Sequence, residues 1–168
     1  AADRATVLGL VAGADLVFDS GPPGRLADLG LGDRELATAN PRMVRVLVTP
    51  FGADGPRALQ PASELTVGAL GGPVRLQGTP ERPPVQFSIP QVWRHAGAEA
   101  AVAALVAHQR MVTTGRPQFV DVSAQAAATW MMLNAMEAHA VQGRDFERTG
   151  SELHLSIAVQ LRLDAADG

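Results

Sequence analysis

The stretch that decides the fold runs from Pro90 to Val141. It opens Pro90-Gln-Val-Trp-Arg-His-Ala-Gly97, continues through an alanine-rich run from Ala98 to Arg110, and breaks at Thr113-Thr-Gly-Arg-Pro117. A β-like segment, Gln118 to Ser123, follows, and then a second helical run from Ala124 to Val141. The first run is apolar nearly all round through Ala107, which predicts a buried helix beginning near Gly97, its alanines admitting close contacts. Glu99 near its start and Arg110 near its end suit the helix dipole. Gly115 with Pro117 just beyond is a stop signal. Trp130, Met131, Leu133 and Met136 are expected to form the packing face of the second run. Helix, turn, strand, helix is the pattern of an α/β chain.

Upstream, residues 3–13 read as a short helix with Val7, Leu8, Leu10 and Val11 on its apolar face. Asp15-Leu-Val-Phe-Asp19 is an apolar run bounded by turn residues, hence a buried strand. Ser20-Gly-Pro-Pro-Gly24 is a loop, Arg25 to Leu29 a turn or two of helix, and Asp33 is placed to cap another helix that ends before Asn40-Pro41. Val44 to Thr49 is the clearest strand. It is β-branched and apolar enough for burial on both faces, as in a parallel sheet. Pro50-Phe-Gly-Ala-Asp-Gly-Pro56 is a glycine-rich loop at that strand's carboxyl end, the place where open α/β sheets bind ligands. It lacks the Gly-Lys-Ser/Thr of a phosphate-binding P-loop. Ala62 to Leu70 reads as a helix, Val74 to Gly78 as a strand, Thr79 to Pro84 as a proline-rich surface loop, and Val85 to Ile89 as a second extended piece. Beyond Gly143 the pattern weakens to a loop and a strand within Leu153–Leu163.

The 168 residues suit one domain or part of a larger one. A hydrophobic fraction of 46% allows a sizeable core. Net charge of −3 and scattered basic residues argue against nucleic acid or an anionic membrane as the partner. No run is apolar long enough to span a bilayer. Cysteine is absent, which removes disulfides and Cys-ligated metals and fits a reducing, cytoplasmic setting. A start at Ala1 without Met and a turn-like end, Ala165-Ala-Asp-Gly168, fit a fragment.

Four segments together resemble the class III coenzyme A transferases, a family that includes formyl-CoA transferase, carnitine and bile-acid CoA transferases and α-methylacyl-CoA racemase. Ala14-Asp-Leu-Val-Phe-Asp-Ser-Gly-Pro-Pro-Gly24 is similar to the family's "ADVVIENFRPG". Leu29-Gly-Leu-Gly with Asn40-Pro-Arg42 is similar to "LGLG…NPRLV", Phe51-Gly-Ala-Asp-Gly-Pro56 to "GFGQTGP", and Thr114-Gly-Arg-Pro-Gln-Phe-Val-Asp-Val-Ser123 to "TGRGQYVDVS". The resemblance implies an α/β, Rossmann-like large domain, partial here and normally part of an interlocked homodimer. Residues 1–150 would be its central part, and 151–168 the start of a linker or small domain. It implies coenzyme A as substrate or acyl-CoA with no metal, an acyl-CoA and a carboxylic acid as partners, and a place in fatty acid metabolism.

In that family an Asp attacks the acyl-CoA carbonyl to form a mixed anhydride, or moves a proton at the carbon beside the thioester in the racemases. The Asp lies in a "P-x-x-D-x-x-x-G" element. Aligned on Pro90 and Gly97, its position here is Trp93, whose indole does neither task. The family's "PGYD" or "GHD" element becomes Pro61-Ala-Ser-Glu64. His95, two residues past the lost Asp, is a candidate acid/base near neutral pH, against a plainer role in capping a helix start. Glu64 is a candidate displaced carboxylate, against a favourable charge in a first helical turn. Asp19, Ser20, Gly24, Leu29, Phe51, Gly52, Ser63 and Trp93 are the positions the resemblance assigns to the coenzyme A site. His108 and His139 lack a second ligand at metal spacing. Asp121 and Ser123 read as a strand-end Asp and a helix cap. Two functions follow: an acyl-CoA transferase or racemase with altered catalytic residues, or a catalytically silent CoA-binding or structural domain of a two-domain or heteromeric enzyme. A Rossmann-like domain without coenzyme A ranks behind both.

Overall fold

The computed structural model describes residues 2–150, 152–154 and 158–160. Its centre is a parallel sheet of β1 (Leu16–Asp19), β2 (Val44–Thr49) and β3 (Gln118–Ser123) in that spatial order. The register aligns Leu16 with Val44 and Val44 with Gln118, so all three strands end on one edge. Helices α1 (Ala2–Val11), α2 (Arg25–Asp28) and α3 (Asp33–Ala39) surround the β1–β2 connection. The β2–β3 crossover carries α4 (Glu64–Gly71), a 3-10 turn (Pro73–Leu76) and α5 (Gln91–Thr114). After β3 come α6 (Ala124–Trp130), α7 (Leu133–Gln142) and an antiparallel pair, β4 (Glu152–His154) and β5 (Ala158–Gln160).

The period-2 alternation of β2 divides the core. Val44, Val46 and Val48 join α4, α5 and α6 in a cluster with Val67, Val92, Ala100 and Ala127. On the other side, Met43 and Val17 pack with Val11, Leu31 and Leu36 from the region of α1 and α3. Burial on both faces is what a central parallel strand requires, and it explains the mostly apolar run in β2. Arg45 is the exception, a cation inside that run. It donates to Asp19 at the end of β1 (3.4 Å) and to Asp33 at the start of α3, and lies 5.3 Å from the Phe119 ring centre. A charge so placed needs such partners to offset its desolvation.

Several sequence expectations are corrected. α5 starts at Gln91, well before Gly97, so neither Glu99 nor Arg110 lies in a terminal turn. It is not buried all round: Val102, Leu105 and Val106 are 64–66% exposed. The run from 124 to 141 is two helices, broken at Met131–Met132, and Trp130, Leu133 and Met136 are exposed rather than a packing face. Leu10 and Val7 are also exposed, leaving Val11 as the buried anchor of α1. Val74 to Gly78 is not a strand but mostly the 3-10 turn, entered through Pro73. Val85 to Ile89 pairs with no strand among the described residues. Asp33 is the first residue of α3 and not its cap, which is Gly32, because its carboxylate is turned to Arg45. The strand expected within Leu153–Leu163 is in part the β4–β5 pair; residues 155–157 and 161–163 lie outside the described residues.

Candidate functional site at the carboxyl edge of the sheet

β1, β2 and β3 end at Asp19, Thr49 and Ser123, and each of these side chains holds the segment that follows. Asp19, 9% exposed, accepts the Gly21 N–H through Oδ1 (2.9 Å) while Arg45 holds its other oxygen. This fixes the turn that carries Ser20. Gly24, at φ 87°, begins α2, and Leu29 ends it with its side chain exposed. Thr49, fully buried, accepts the Gly52 N–H (2.8 Å). The next N–H, of Ala53, goes to Asp121 Oδ2 (2.9 Å), and the Pro50 carbonyl accepts the Gln125 N–H (3.0 Å). The glycine-rich loop is therefore pinned to β2, β3 and the first turn of α6. Gly52 takes φ 98°, a conformation that side-chain-bearing residues rarely adopt. Phe51 beside it is half-buried against the main core. Ser123 caps α6 by accepting the Ala126 N–H.

The start of α5 stands on this same edge. Its end, Thr114, leads in three residues to the opposite edge, where β3 begins. A helix of 24 residues spans about 36 Å, longer than the six-residue strands it packs on, so its first turn projects past their carboxyl ends. Pro90 offers no side-chain cap there. Glu64 supplies one from the first position of α4: Oε1 accepts the Val92 N–H (2.8 Å) and Oε2 the Trp93 N–H (3.4 Å). Ser63, one residue earlier, caps α4 itself by accepting the Thr66 N–H (3.2 Å). Trp93 is half-buried and packs on the same core cluster as Phe51.

The structure thus brings Ser63, Glu64 and Trp93 together directly, with the Phe51–Gly52 loop on the same edge. Gly24 and Leu29 flank α2 on the β1 side, and no hydrogen bond among the described residues links them to Glu64 or Trp93. His95 is exposed in the second turn of α5, with Nδ1 3.1 Å from the Gln91 carbonyl oxygen. It does not cap the helix start, because it faces a carbonyl and not the free N–H groups. Sequence reading missed Arg45 and Thr49. The lone charge in an apolar strand was the available signal for Arg45. Asp121, read only as a strand-end residue, proves to hold the glycine-rich loop.

A cleft of ≈420 Å³ lies elsewhere, between the end of α4 and α7, lined by Arg75, Met132, Met136, His139 and Phe146 among others. None of the predicted site residues lines it, and its His139 and Asp145 are paired with each other (2.8 Å). The carboxyl edge, where loops and helix starts converge, has the stronger claim to the chemistry.

Known proteins are similar to this chain in sequence and fold. The chain is 39% identical over 150 residues to the succinyl-CoA:(R)-benzylsuccinate CoA-transferase subunit BbsE of Thauera aromatica, covering 86% of this chain and 37% of that one. It is 32% identical over 165 residues to the succinyl-CoA–D-citramalate CoA-transferase of Chloroflexus aurantiacus, covering 98% and 41%. The crystal structure of a CAIB/BAIF family protein from Brucella suis superposes with a TM-score of 0.84 at 26% identity, over 88% of this chain and 39% of that one. The chain therefore spans about two fifths of the length of these relatives. The description of CoA-transferase family III fits residues 1–168, the whole sequence. With the parallel sheet and its helices agreeing with that match, this chain belongs to CoA-transferase family III.

Proposed function

We propose that the protein handles acyl-CoA thioesters and that this chain supplies the coenzyme A cradle of a CoA-transferase without supplying its nucleophile. The observation that carries this reading is the engagement of Glu64. Position 93 bears an indole, and the nearest carboxylate is committed to the backbone N–H groups of Val92 and Trp93. A carboxylate held as a helix cap is poorly placed to attack a thioester carbonyl or take a proton. In this reading a partner subunit brings the attacking carboxylate. The name of BbsE, a subunit of a CoA-transferase, supports an assembly of more than one chain. Coenzyme A lies along Asp19, Ser20, Gly24 and Leu29 on one side and Phe51, Gly52, Ser63 and Trp93 on the other. Residues 1–150 act as the central part of the large domain and 151–168 lead out of it. The chain works as part of a dimer in the cytoplasm, on an acyl-CoA and a carboxylic acid, within the metabolism of fatty or related acids. Among the described residues no helix is long and apolar enough to cross a membrane.

A second reading rests on His95. With Nδ1 donating to the Gln91 carbonyl, the neutral ring leaves Nε2 as a proton acceptor, which suits proton transfer beside a thioester. One experiment separates the two. The full-length protein is incubated alone with succinyl-CoA and a panel of carboxylic acids, and acyl exchange is followed together with α-proton exchange in deuterated water. The first reading expects coenzyme A to bind with neither exchange. Turnover by the single chain overturns it, and loss of that turnover in His95→Ala, with coenzyme A still bound, establishes the second.

A further inference from the structure

We propose that Glu64 is a positioning residue of the thioester site, holding residue 93 in place through the backbone of α5. The inference rests on the reading that the carboxyl edge receives coenzyme A. Its ground is the accounting of donors in the first turn of α5. The Gln91 N–H goes to the Ile89 carbonyl (2.8 Å), and the Arg94 N–H to the Pro90 carbonyl (3.3 Å). The two between them, Val92 and Trp93, have Glu64 as their acceptor. An N-cap side chain ordinarily accepts from these second and third helical positions, but Pro90 has no such group. Glu64 performs that task from 28 residues away in sequence.

The placement couples two helices. Glu64 begins α4, whose own first turn is closed by Ser63 and Thr66, so the cap of α4 does not depend on α5. Val92 is fully buried beneath the carboxylate and anchors the turn from below. Residue 93 is therefore held from both sides: by the N–H bond to Oε2, and by the burial of its neighbour. The direction in which its side chain leaves the helix follows from that backbone, whatever the side chain is. Glu64 acts on the site through Trp93 and the α5 start, and needs no contact with substrate.

The test uses the full-length protein labelled with fluorotryptophan, the Trp93 line in its fluorine NMR spectrum being assigned by its loss in Trp93→Phe. Glu64→Gln keeps one oxygen for the buried Val92 N–H, while its amide nitrogen cannot accept from Trp93. We expect a nearly unchanged melting temperature, a shifted or broadened Trp93 line, and coenzyme A binding weakened about fivefold, the scale of one lost helix-terminal hydrogen bond. Glu64→Ala extends both effects and lowers the melting temperature. An unmoved Trp93 line with unchanged coenzyme A affinity in Glu64→Gln overturns the proposal, as does a lowered melting temperature in either variant without those two changes. If the unsubstituted protein binds no coenzyme A, the coenzyme A reading fails, and the Trp93 line alone decides whether Glu64 holds residue 93.

Discussion

Both faces of α5 carry aliphatic residues, and these meet opposite surroundings. Val92, Ala96, Ala100, Ala104, Ala107 and Met111 recur every three or four positions and are at most 9% exposed, packed in the cluster with β2, β3 and α6. Val102, Leu105, Val106 and Val112 point away and are 50–66% exposed. The buried face is mostly alanine between Val92 and Met111, while the exposed side mixes larger aliphatic residues with Arg94, His95, Glu99, Gln109 and Arg110. Ala96, Ala100, Ala104 and Ala107 lie on the face against the sheet, and Val102, Leu105, Val106 and Val112 lie on a side that the described residues leave open. Exposed apolar residues grouped on one side favour contact with another surface, which the assembly proposed above would supply.

The comparison is broken most readily from inside. Met111→Ala removes a side chain that is 3% exposed and should cost about 2–5 kcal/mol of folding stability, read from urea denaturation of the full-length protein. A loss below about 0.5 kcal/mol, the range of ordinary surface changes, means that the inner face is not a packed core. Next comes Ala100→Leu, at a position 2% exposed. The added methylene groups have no free volume, and overpacking should cost about 1–3 kcal/mol; a stabilised protein would show that the helix and sheet are not in close contact. The smallest effect is expected for Leu105→Gln on the outer face. Folding stability at low protein concentration should change by less than about 0.5 kcal/mol, while sedimentation velocity shows weaker assembly. A large loss of stability with assembly intact would mean that the outer face is buried within one chain.

Much of the fold was legible. β2 announced itself by a β-branched apolar run, and Gly115 by its place after a helix and before Pro117; it does take φ 69° as the C-cap of α5. The start of α5 was not legible at Pro90, because its capping group sits on Glu64, and no local signal marks a cap supplied by another helix. The break at Met131–Met132 contains neither Gly nor Pro, so neither of the usual markers was there to read. The same holds for the site. The motifs led to Trp93, Ser63, Glu64 and the glycine-rich loop, and the structure gathers these on one edge. Glu64 was legible as a candidate base or a first-turn charge, but not as the acceptor of the Val92 and Trp93 N–H groups. Asp121 looked like a strand end, although it holds the Ala53 N–H.

By itself the sequence determined the α/β class, the three strands and the family, because these depend on local periodicity, turn residues and the order of short motifs. Only the tertiary structure decided which side of α5 is core, which group caps its first turn, and which donors Glu64 meets. Those are questions of which donors and acceptors meet across 28 residues of chain. A carboxylate has the same charge in the sequence whether it faces substrate or a helix terminus; its hydrogen-bond partners decide between them.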